Sequence, residues 1–354
     1  MRRLKNDDGF SLVLIGILLV VLLAFAGFAI DMGAMYQERG ELRNGADAAA
    51  LAIAQACAEA PTDPDCSNST GLGSPAQTYA DLNAHDGNSG VDWVHIDHDP
   101  PDPYTMTVKV ITFAEDASGR GRFDMRFMQV LGFDSVDVGA SATAATGPPA
   151  EAETPPVVFE ECEWAQAFGS VAPSVFPSAD VTLFLHQAPL PSVLPDCPVN
   201  LDPAGKDAPG AFGYIGGDGA CSALIVAGFA ETSVGNKPPQ PECKPDDIYR
   251  VLFGADQGDG YGQVIPIPIF DGISSQGSNV TYHIAGLGMF QTRQYNLGGQ
   301  YVYPHDFDCP DNPDTPQADK NATCIVGRFT EGILQSLGEF GGGDYGAILV
   351  RLID

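Results

Sequence analysis

Cysteine is the residue type whose number and spacing in this sequence point most directly to chemistry. The chain carries an even and dispersed set, at Cys57, Cys66, Cys162, Cys197, Cys221, Cys243, Cys309 and Cys324. No two of them form a Cys-x-x-Cys pair, so the sequence supports neither a zinc knuckle nor a thioredoxin-like redox site. In an exported chain, a set of this kind is typical of disulfides.

Pairing between neighbouring cysteines is favoured because short loops cost the least entropy to close. We therefore expect Cys309–Cys324 and Cys57–Cys66 first, and then Cys221–Cys243. The pair Cys162–Cys197 follows by elimination. Eight cysteines allow many connectivities, so other pairings remain open at this point.

Two groups of carboxylate and imidazole side chains are close enough in sequence to be considered as metal ligands. The first comprises His95, Asp97, His98 and Asp99, and the second comprises Asp306, Asp308, Asp311 and Asp314. Ile96 interrupts the first group and Pro100 follows it. In so acidic a chain we interpret both groups as solvated loops, and we predict no metal and no cofactor.

The sequence also lacks the usual signatures of catalysis. It contains no P-loop, no Gly-x-Ser-x-Gly elbow, no His-Glu-x-x-His pattern and no EF-hand loop. No nucleophile and base stand at a family-specific spacing. We predict a protein that is not an enzyme, with no catalytic residues and no small-molecule substrate.

The charge balance argues against a further class of function. Among 354 residues there are 17 Lys+Arg and 46 Asp+Glu, which makes the formal net charge −29. A field of this sign repels phosphate backbones, so we expect no nucleic-acid partner. Hydrophobic residues make up 44% of the chain, which is enough for a packed core.

An uncharged apolar run, which could position the rest of the chain at a membrane, extends from Phe10 through Leu18 and Val21 to Ile30. At 1.5 Å per residue it can cross a hydrocarbon core of about 30 Å. A basic leader, residues 1–9, precedes the run. The positive-inside rule places this leader in the cytoplasm and the chain beyond the run outside. We predict a single-pass protein of the bacterial cytoplasmic membrane with most of its mass extracytoplasmic.

Helical periodicity continues beyond the apolar run, over residues 31–60. The apolar residues recur at spacings of three and four, at Met32, Met35, Tyr36, Leu42, Ala46, Ala49, Ala50 and Ile53. Pro61 ends the pattern. This predicts that the membrane helix continues as an amphipathic stalk. Its alanine stripe would let another helix or a sheet approach closely, either from a partner or from the protein's own domain.

The apolar run and the stalk contain a pattern of residues that can be compared with the motif of a known family. Gly9 precedes the apolar run, Asp31 follows Ala29-Ile30 at its outer end, and Tyr36 comes next. An alanine-rich motif then includes Leu42, Asn44, Ala46, Asp47, Ala49, Ala50 and Leu51. This pattern resembles the TadE/TadG-like family of Tad (tight adherence) or Flp pilus-assembly proteins, although Arg43 and Gly45 depart from the family motif. A Phe-rich turn at residues 127–133, followed by a strand that ends in Ala-Thr-Ala, is similar to TadG-like proteins.

Two kinds of cleavage are alternatives to an uncleaved anchor. Signal peptidase accepts small residues such as those of Ala24-Phe25-Ala26, but the apolar run continues to Ile30. Proteins that resemble pilins are cut before Phe in a Gly-Phe context, which Gly9-Phe10 provides. Pilins then carry Glu at the fifth mature position, where this chain has Leu14. We expect the uncleaved form.

The remaining chain is organised in three parts. We expect a small α+β module with loops over residues 61–146, a Pro/Glu linker over 147–156 and a β-rich domain over 157–354. Short strands separated by Gly, Pro and Asp clusters indicate a mainly-β, disulfide-stapled sandwich or partly closed barrel. Val264–Phe270 contains two prolines and is expected at an edge or bulge, and Phe329–Leu337 is a candidate short helix.

The resemblance implies a membrane-anchored, non-enzymatic structural or assembly component of a Tad/Flp-type pilus system. Its partners would be the membrane and other pilus-assembly proteins. The alternative is a membrane-anchored extracytoplasmic binding module that recognises a surface, a glycan or a metal ion. Exposed aromatic side chains clustered on one face, for example Tyr295, Tyr301 and Tyr303, would favour that alternative.

Overall fold

The computed structural model describes residues 8–67, 73–101, 103–116, 118–168, 178–184, 212–216, 221–232, 238, 243–255, 257–276, 279–310, 323–334 and 338–353. The chain divides into two compact units. Unit 1 comprises residues 1–100, 106–145 and 351–354. Unit 2 comprises residues 101–105 and 146–350.

Within the described residues, helices are few and one of them is very long. They are α1 (Asp8–Glu59), α2 (Pro64–Ser67), α3 (Gly73–Asn83), α4 (Glu161–Phe168), α5 (Pro245–Leu252) and the 3₁₀ turn η1 (Met128–Leu131).

Strands account for most of the remaining regular structure. They are β1 (Ser89–Asp97), β2 (Met106–Ala114), β3 (Phe123–Asp124), β4 (Ser135–Val136), β5 (Gly139–Gly147), β6 (Glu151–Thr154), β7 (Val157–Glu160), β8 (Val181–Phe184), β9 (Phe212–Tyr214), β10 (Ala223–Val226), β11 (Ala230–Thr232), β12 (Val264–Gln276), β13 (Asn279–Asn296), β14 (Val302–Tyr303), β15 (Cys324–Thr330), β16 (Gly332–Leu334), β17 (Gly343–Tyr345) and β18 (Ala347–Leu352).

Helix α1 joins the predicted membrane helix and the predicted stalk into one element of 52 residues. No proline interrupts it, and Pro61 follows two residues after its end. Its first half is rich in Leu, and its second half is rich in Ala, both good helix formers. The residues of the basic leader before Asp8 lie outside the described part of the chain.

Unit 1 packs the second half of α1 against a small α+β module. Strands β1, β2 and β5 are consecutive neighbours in a sheet, and β1 pairs with β2 in antiparallel fashion. Both α3 and β2 pack on α1. In β2 burial alternates strictly along the strand, as expected when one face lies on a helix. Leu42, Ala114 and Val138 form a buried cluster in this unit.

Unit 2 is built around a nine-stranded sheet in which the path β8-β15-β13-β12-β7-β9 is joined by β11, β14 and β17 through β13. Strand β13 is 18 residues long. A buried aromatic cluster holds the sheet together. Phe159, Phe290 and Phe329 meet edge to face, with ring centroids 5.0 Å apart for Phe159–Phe290 and 5.1 Å for Phe290–Phe329.

The proline-containing strand β12 behaves as a bulged strand with partial edge character. It pairs along its length with β13, and its register shifts on either side of Phe270. Its other described neighbour, β7, pairs with Ile269 and Phe270 but not with Pro266 or Pro268. The two prolines lack a backbone N–H, but they stand where β7 forms no pair with β12, so no hydrogen bond to β7 is lost.

Two local predictions differ from the structure. The expected helix at Phe329–Leu337 is wrong, because β15 runs to Thr330 and β16 occupies Gly332–Leu334, while residues 335–337 lie outside the described part. The predicted linker at 147–156 contains β6, which pairs with β10 and buries Ala152 and Thr154. The prolines and carboxylates of this segment correctly suggest an extended backbone. The segment forms a strand because β10 supplies hydrogen-bond partners for it.

The predicted fold class is confirmed: a long N-terminal helix is followed by an α+β module and a mainly-β region, and the described residues contain three disulfides. These are Cys57–Cys66, Cys221–Cys243 and Cys309–Cys324, the same pairs that loop-closure entropy favours. The fourth expected pair, Cys162–Cys197, cannot be placed because Cys197 lies outside the described residues.

Candidate functional site

The exposure of α1 changes abruptly near its middle. The predicted anchor residues Leu18, Val21 and Ile30 are between 44% and 54% exposed, although they are strongly apolar. For Phe10 the structure describes the backbone alone. Asp31, the first charged residue after the apolar run, is only 3% exposed. A charged group is thus buried where the apolar run ends.

The Asp31 carboxylate is buried because it binds a backbone turn from a distant part of the chain. Its Oδ1 accepts the Arg126 N–H at 3.0 Å, and its Oδ2 accepts the N–H groups of Phe127 at 2.9 Å and Met128 at 2.7 Å. The two segments are 95 to 97 residues apart in sequence. We call this arrangement the Asp31 clamp.

The clamp satisfies backbone groups that would otherwise have no partner. The first N–H groups of any helical turn lack an acceptor inside the turn. At the start of η1, Phe127 occupies the N-cap position and its side chain makes no capping hydrogen bond. Asp31 of α1 therefore supplies the cap from another element.

The charged state of Asp31 follows from this geometry. Burial alone would raise the pKa of its carboxyl group, but the N–H donors of Met128, Phe127 and Arg126 outweigh that effect. Together with the positive charge of Arg126, they place the pKa of Asp31 below its ordinary value. The clamp is therefore a carboxylate interaction at neutral pH.

A glycine one helical turn before Asp31 lets the clamped segment approach α1. A Cβ placed on Gly27 would lie 2.8 Å from the Phe127 Cβ, closer than two such atoms can approach. Positions four apart lie on the same helix face, so Gly27 and Asp31 present one surface to the segment. Gly27 thus provides space where Asp31 provides hydrogen-bond acceptors.

The alanine stripe of α1 is covered within unit 1. Ala46, Ala49 and Ala50 are fully buried, and α3 and β2 are the two elements that pack most extensively on α1. At Gly45 a Cβ would lie 3.0 Å from the Ala80 Cα of α3. Of the two alternatives for the stripe, the structure therefore has the protein's own domain on these alanines.

The other residues of the predicted stalk motif are divided between packing and solvent. Leu42 is buried, and its carbonyl accepts the Thr112 hydroxyl of β2 at 2.9 Å. Tyr36 is 65% exposed and Asn44 is also exposed. Asp47 and Leu51 are half-buried, with the Asp47 carboxylate 4.0 Å from the Arg43 guanidinium.

Beside the clamp, unit 1 contains an acidic cavity of about 360 Å³. Its carboxylates are Glu38, Glu41, Asp86, Glu115, Asp116 and Asp124. Arg122, Arg126 and His85 also line it. Burial, and then the charges of Asp86 and Glu41, raise the pKa of Glu38 to about 7. Hydrogen bonds from Ser118 and Arg120 instead lower the pKa of Asp116.

The two groups considered as metal ligands do not assemble into a site in the described residues. His95 stacks on Trp93 with ring centroids 4.7 Å apart, while the His98 Nε2 lies 2.8 Å from the Cys66 carbonyl oxygen. Among the described residues, no three His, Cys, Asp or Glu side chains are grouped so that they could hold a metal ion. Asp311 and Asp314 lie outside those residues.

The tyrosines that would favour a binding module lie in the core of unit 2. Tyr295 is 2% exposed, and Tyr301 and Tyr303 pack against the same core cluster. The Tyr301 hydroxyl donates to the Cys243 carbonyl at 3.0 Å. These three rings therefore do not form an exposed aromatic face.

Sequence reasoning identified Asp31 but missed its partners. Gly27 is one of several glycines in the apolar half of α1, and nothing in the sequence singles it out. The segment at Arg126–Met128 contributes backbone atoms, which carry no sequence signature. Only the Phe-rich character of residues 127–133 marks that part of the chain.

These features define a class of protein in which one helix is both apolar enough to cross a membrane and part of a folded domain. In the described residues this single helix runs from Leu12 to Glu59. Residues 9–56 match the model of the Tad family, described as "Putative Flp pilus-assembly TadE/G-like". This segment includes the apolar run, Asp31 and the alanine stripe. The resemblance of the N-terminal segment is thereby confirmed, and it supports membrane anchoring and a role in pilus assembly.

The comparison with curated proteins found no match, and neither did the comparison with solved structures.

Proposed function

We propose that this protein is a non-enzymatic structural or assembly component of a Tad/Flp-type pilus system, held in the bacterial cytoplasmic membrane by α1. The observation that carries the proposal is the TadE/G-like match over residues 9–56. That match covers the membrane run together with the stalk, and not the apolar run alone. A generic tether would require only the apolar run.

The orientation follows from charge. The basic residues Arg2, Arg3 and Lys5 precede the apolar run, so the N-terminus lies in the cytoplasm and the chain beyond the run lies outside. Disulfides form in oxidising compartments, and the three in the structure agree with this orientation. An alkaline phosphatase fusion after Asp354 is expected to be active, whereas activity of a fusion before Met1 would contradict the orientation.

Mechanically, the Asp31 clamp fixes α1 to the rest of unit 1, so α1 is not merely a flexible tether. Three hydrogen bonds hold the 126–128 segment to the helix where the apolar run ends, and the alanine stripe holds α3 and β2 beyond it. A force or a docking event on unit 1 would then reach the membrane helix directly. This is the behaviour expected of an assembly component that positions other pilus proteins.

The test is piliation in the bacterium that makes this protein. Deletion of the gene is expected to abolish pili and surface adhesion, and expression of the unaltered chain should restore both. Normal pili in the deletion strain would overturn the proposal. Expression of Asp31→Asn should restore pili poorly, whereas the exposed and unclamped Asp99→Asn should restore them fully.

Processing is tested by the mass of the protein extracted from native membranes, before and after reduction. An intact N-terminus is expected, with a gain of eight hydrogens if all eight cysteines are paired. A start at Phe10 would instead make the protein a pilin-like subunit. A start at Gly27 would release it from the membrane and favour the binding module.

A further inference from the structure

A second apolar surface lies beside the membrane helix, on the turn that Asp31 clamps. Four large side chains of this turn are exposed: Phe127 at 49%, Val130 at 88%, Leu131 at 58% and Phe133 at 58%. They fall within seven consecutive residues. We call these four side chains the apolar tip. In a soluble chain such a group would be a liability, since apolar side chains this large are normally buried.

The position of the tip along α1 is set by a direct contact. Phe127 packs on Gly27, which lies inside the apolar run and three residues before its end at Ile30. At 1.5 Å per residue this contact is about 5 Å inside the end of the run. Helices that lie in the interface bury their apolar faces about 5–10 Å into the headgroup and acyl boundary. The two depths agree.

The backbone of residues 126–133, which carries the apolar tip, is also suited to an environment with little water. Its first N–H groups bond to Asp31, while those of Val130, Gly132 and Phe133 bond to carbonyls of the same turn. Gly132 closes the turn in the left-handed region, at φ +88°. Internal satisfaction of backbone groups is the condition that a bilayer imposes on any segment that enters it.

One basic residue beside the tip supports the same interpretation. Arg120 and Arg122, which also precede the tip, form ion pairs with Asp116 and Asp137. Arg126 is exposed and adjoins Phe127. A guanidinium next to buried apolar side chains can extend to lipid phosphate while its neighbours enter the acyl region.

We propose that the apolar tip is a second membrane contact, which inserts into the outer leaflet of the bilayer beside α1 and is held there by the Asp31 clamp. The occupant of this surface is lipid, because the tip is continuous with the helix face that already contacts the acyl chains. With two contacts, unit 1 has a fixed tilt and rotation on the membrane, which a single helix alone does not set. This inference rests on the proposal that α1 spans a membrane.

The test places tryptophan on the tip of the full-length protein in phosphatidylcholine vesicles. Val130→Trp is introduced together with Trp93→Phe, so that buried Trp164 contributes the remaining constant signal. The lipids are brominated either near the headgroup or near the chain ends. We expect blue-shifted emission from Val130→Trp, quenched more strongly by bromine near the headgroup.

Two matched variants make the outcome decisive. The first is Leu82→Trp in α3, where Leu82 is 76% exposed and close to Ala80. Ala80 contacts Gly45, which lies about 22 Å beyond the end of the run along α1. Leu82→Trp should show red-shifted emission without quenching. Val20→Trp, inside the run, should be quenched by both lipids.

Each alternative result overturns a separate statement. If Val20→Trp is quenched but Val130→Trp is red-shifted and unquenched, the tip faces water and this inference is wrong while the membrane span stands. Blue-shifted but unquenched emission from Val130→Trp would mean that protein covers the tip. If Val20→Trp is also unquenched, the membrane span itself fails, and this inference fails with it.

Discussion

The Asp31 carboxylate accepts a 2.7 Å hydrogen bond from the backbone N–H of Met128, 97 residues further along the chain. The bond joins the end of the apolar run to a turn whose exposed side chains are mostly apolar. Because the donors are backbone groups, the clamp depends on the residue type at position 31 and not on the identities of its partners. This relationship links the Tad-like segment to the fold that follows it.

The clamp is expected to require the carboxylate of Asp31. Asp31→Asn keeps the size of the side chain but removes its charge and replaces one acceptor oxygen by a donor. The N–H groups of residues 126–128 should then exchange with solvent roughly tenfold faster, because at least one of them loses its charged acceptor. Hydrogen exchange measured by mass spectrometry on the detergent-solubilised chain checks this. Unchanged exchange at 126–128 would contradict the clamp.

Gly27 is expected to be sensitive to a single methyl group. Gly27→Ala places a Cβ where the Phe127 Cβ stands 2.8 Å away, so the turn must move outward. Trypsin should then cleave more rapidly after Arg126. The matched control is Gly33→Ala on the same helix, where the added Cβ meets no atom within 4 Å. Equal cleavage in the two variants would show that Phe127 does not depend on Gly27.

The alanine stripe is expected to be essential for the stability of unit 1. Ala49→Glu places a charge in a fully buried site and should cost about 3–5 kcal/mol. Urea unfolding can be followed through Trp93 of unit 1 in a Trp164→Phe background. Ala56→Glu, at an exposed position of the same helix, should change stability little. If both variants were equally stable, the stripe would not be packed in solution.

The disulfide at the end of α1 is expected to stabilise the same unit. Cys57 and Cys66 close a short loop, nine residues apart, between α1 and α2. Replacing both by Ala should lower stability by about 2–3 kcal/mol, because the unfolded chain gains freedom. The same Trp93 unfolding measurement checks this. A midpoint equal to that of the unaltered chain would indicate that α2 and the loop contribute no constraint.

Glu38 is expected to make unit 1 less stable as pH rises. Its pKa is raised from 4.5 to about 7 in the folded state, so the folded chain binds the proton more tightly than the unfolded chain. Stability is then fully present below about pH 4.5 and declines as pH rises through about 7. Glu38→Gln should remove this contribution and be more stable at pH 8 by about 1 kcal/mol, allowing for solvent screening. Parallel pH profiles for the two proteins would contradict the assignment.

Local patterns in the sequence determined several elements without reference to the rest of the fold. The run from Phe10 to Ile30 is uncharged and long, so a helix that is long and apolar enough to cross a membrane follows from it directly. The three described disulfides join cysteines that are near in sequence, where loop closure is cheap.

Only the tertiary structure decided what those elements meet. Asp31 was visible as a charge at the end of the run, but its acceptors bind N–H groups that every residue carries. The alanine stripe was compatible with a partner or with the protein's own α3 and β2, because small residues favour close approach by any surface. The strand β6, within the predicted linker, exists because β10 pairs with it. Sequence periodicity reports which face is buried, whereas the identity of the covering element depends on contacts between residues far apart in the chain.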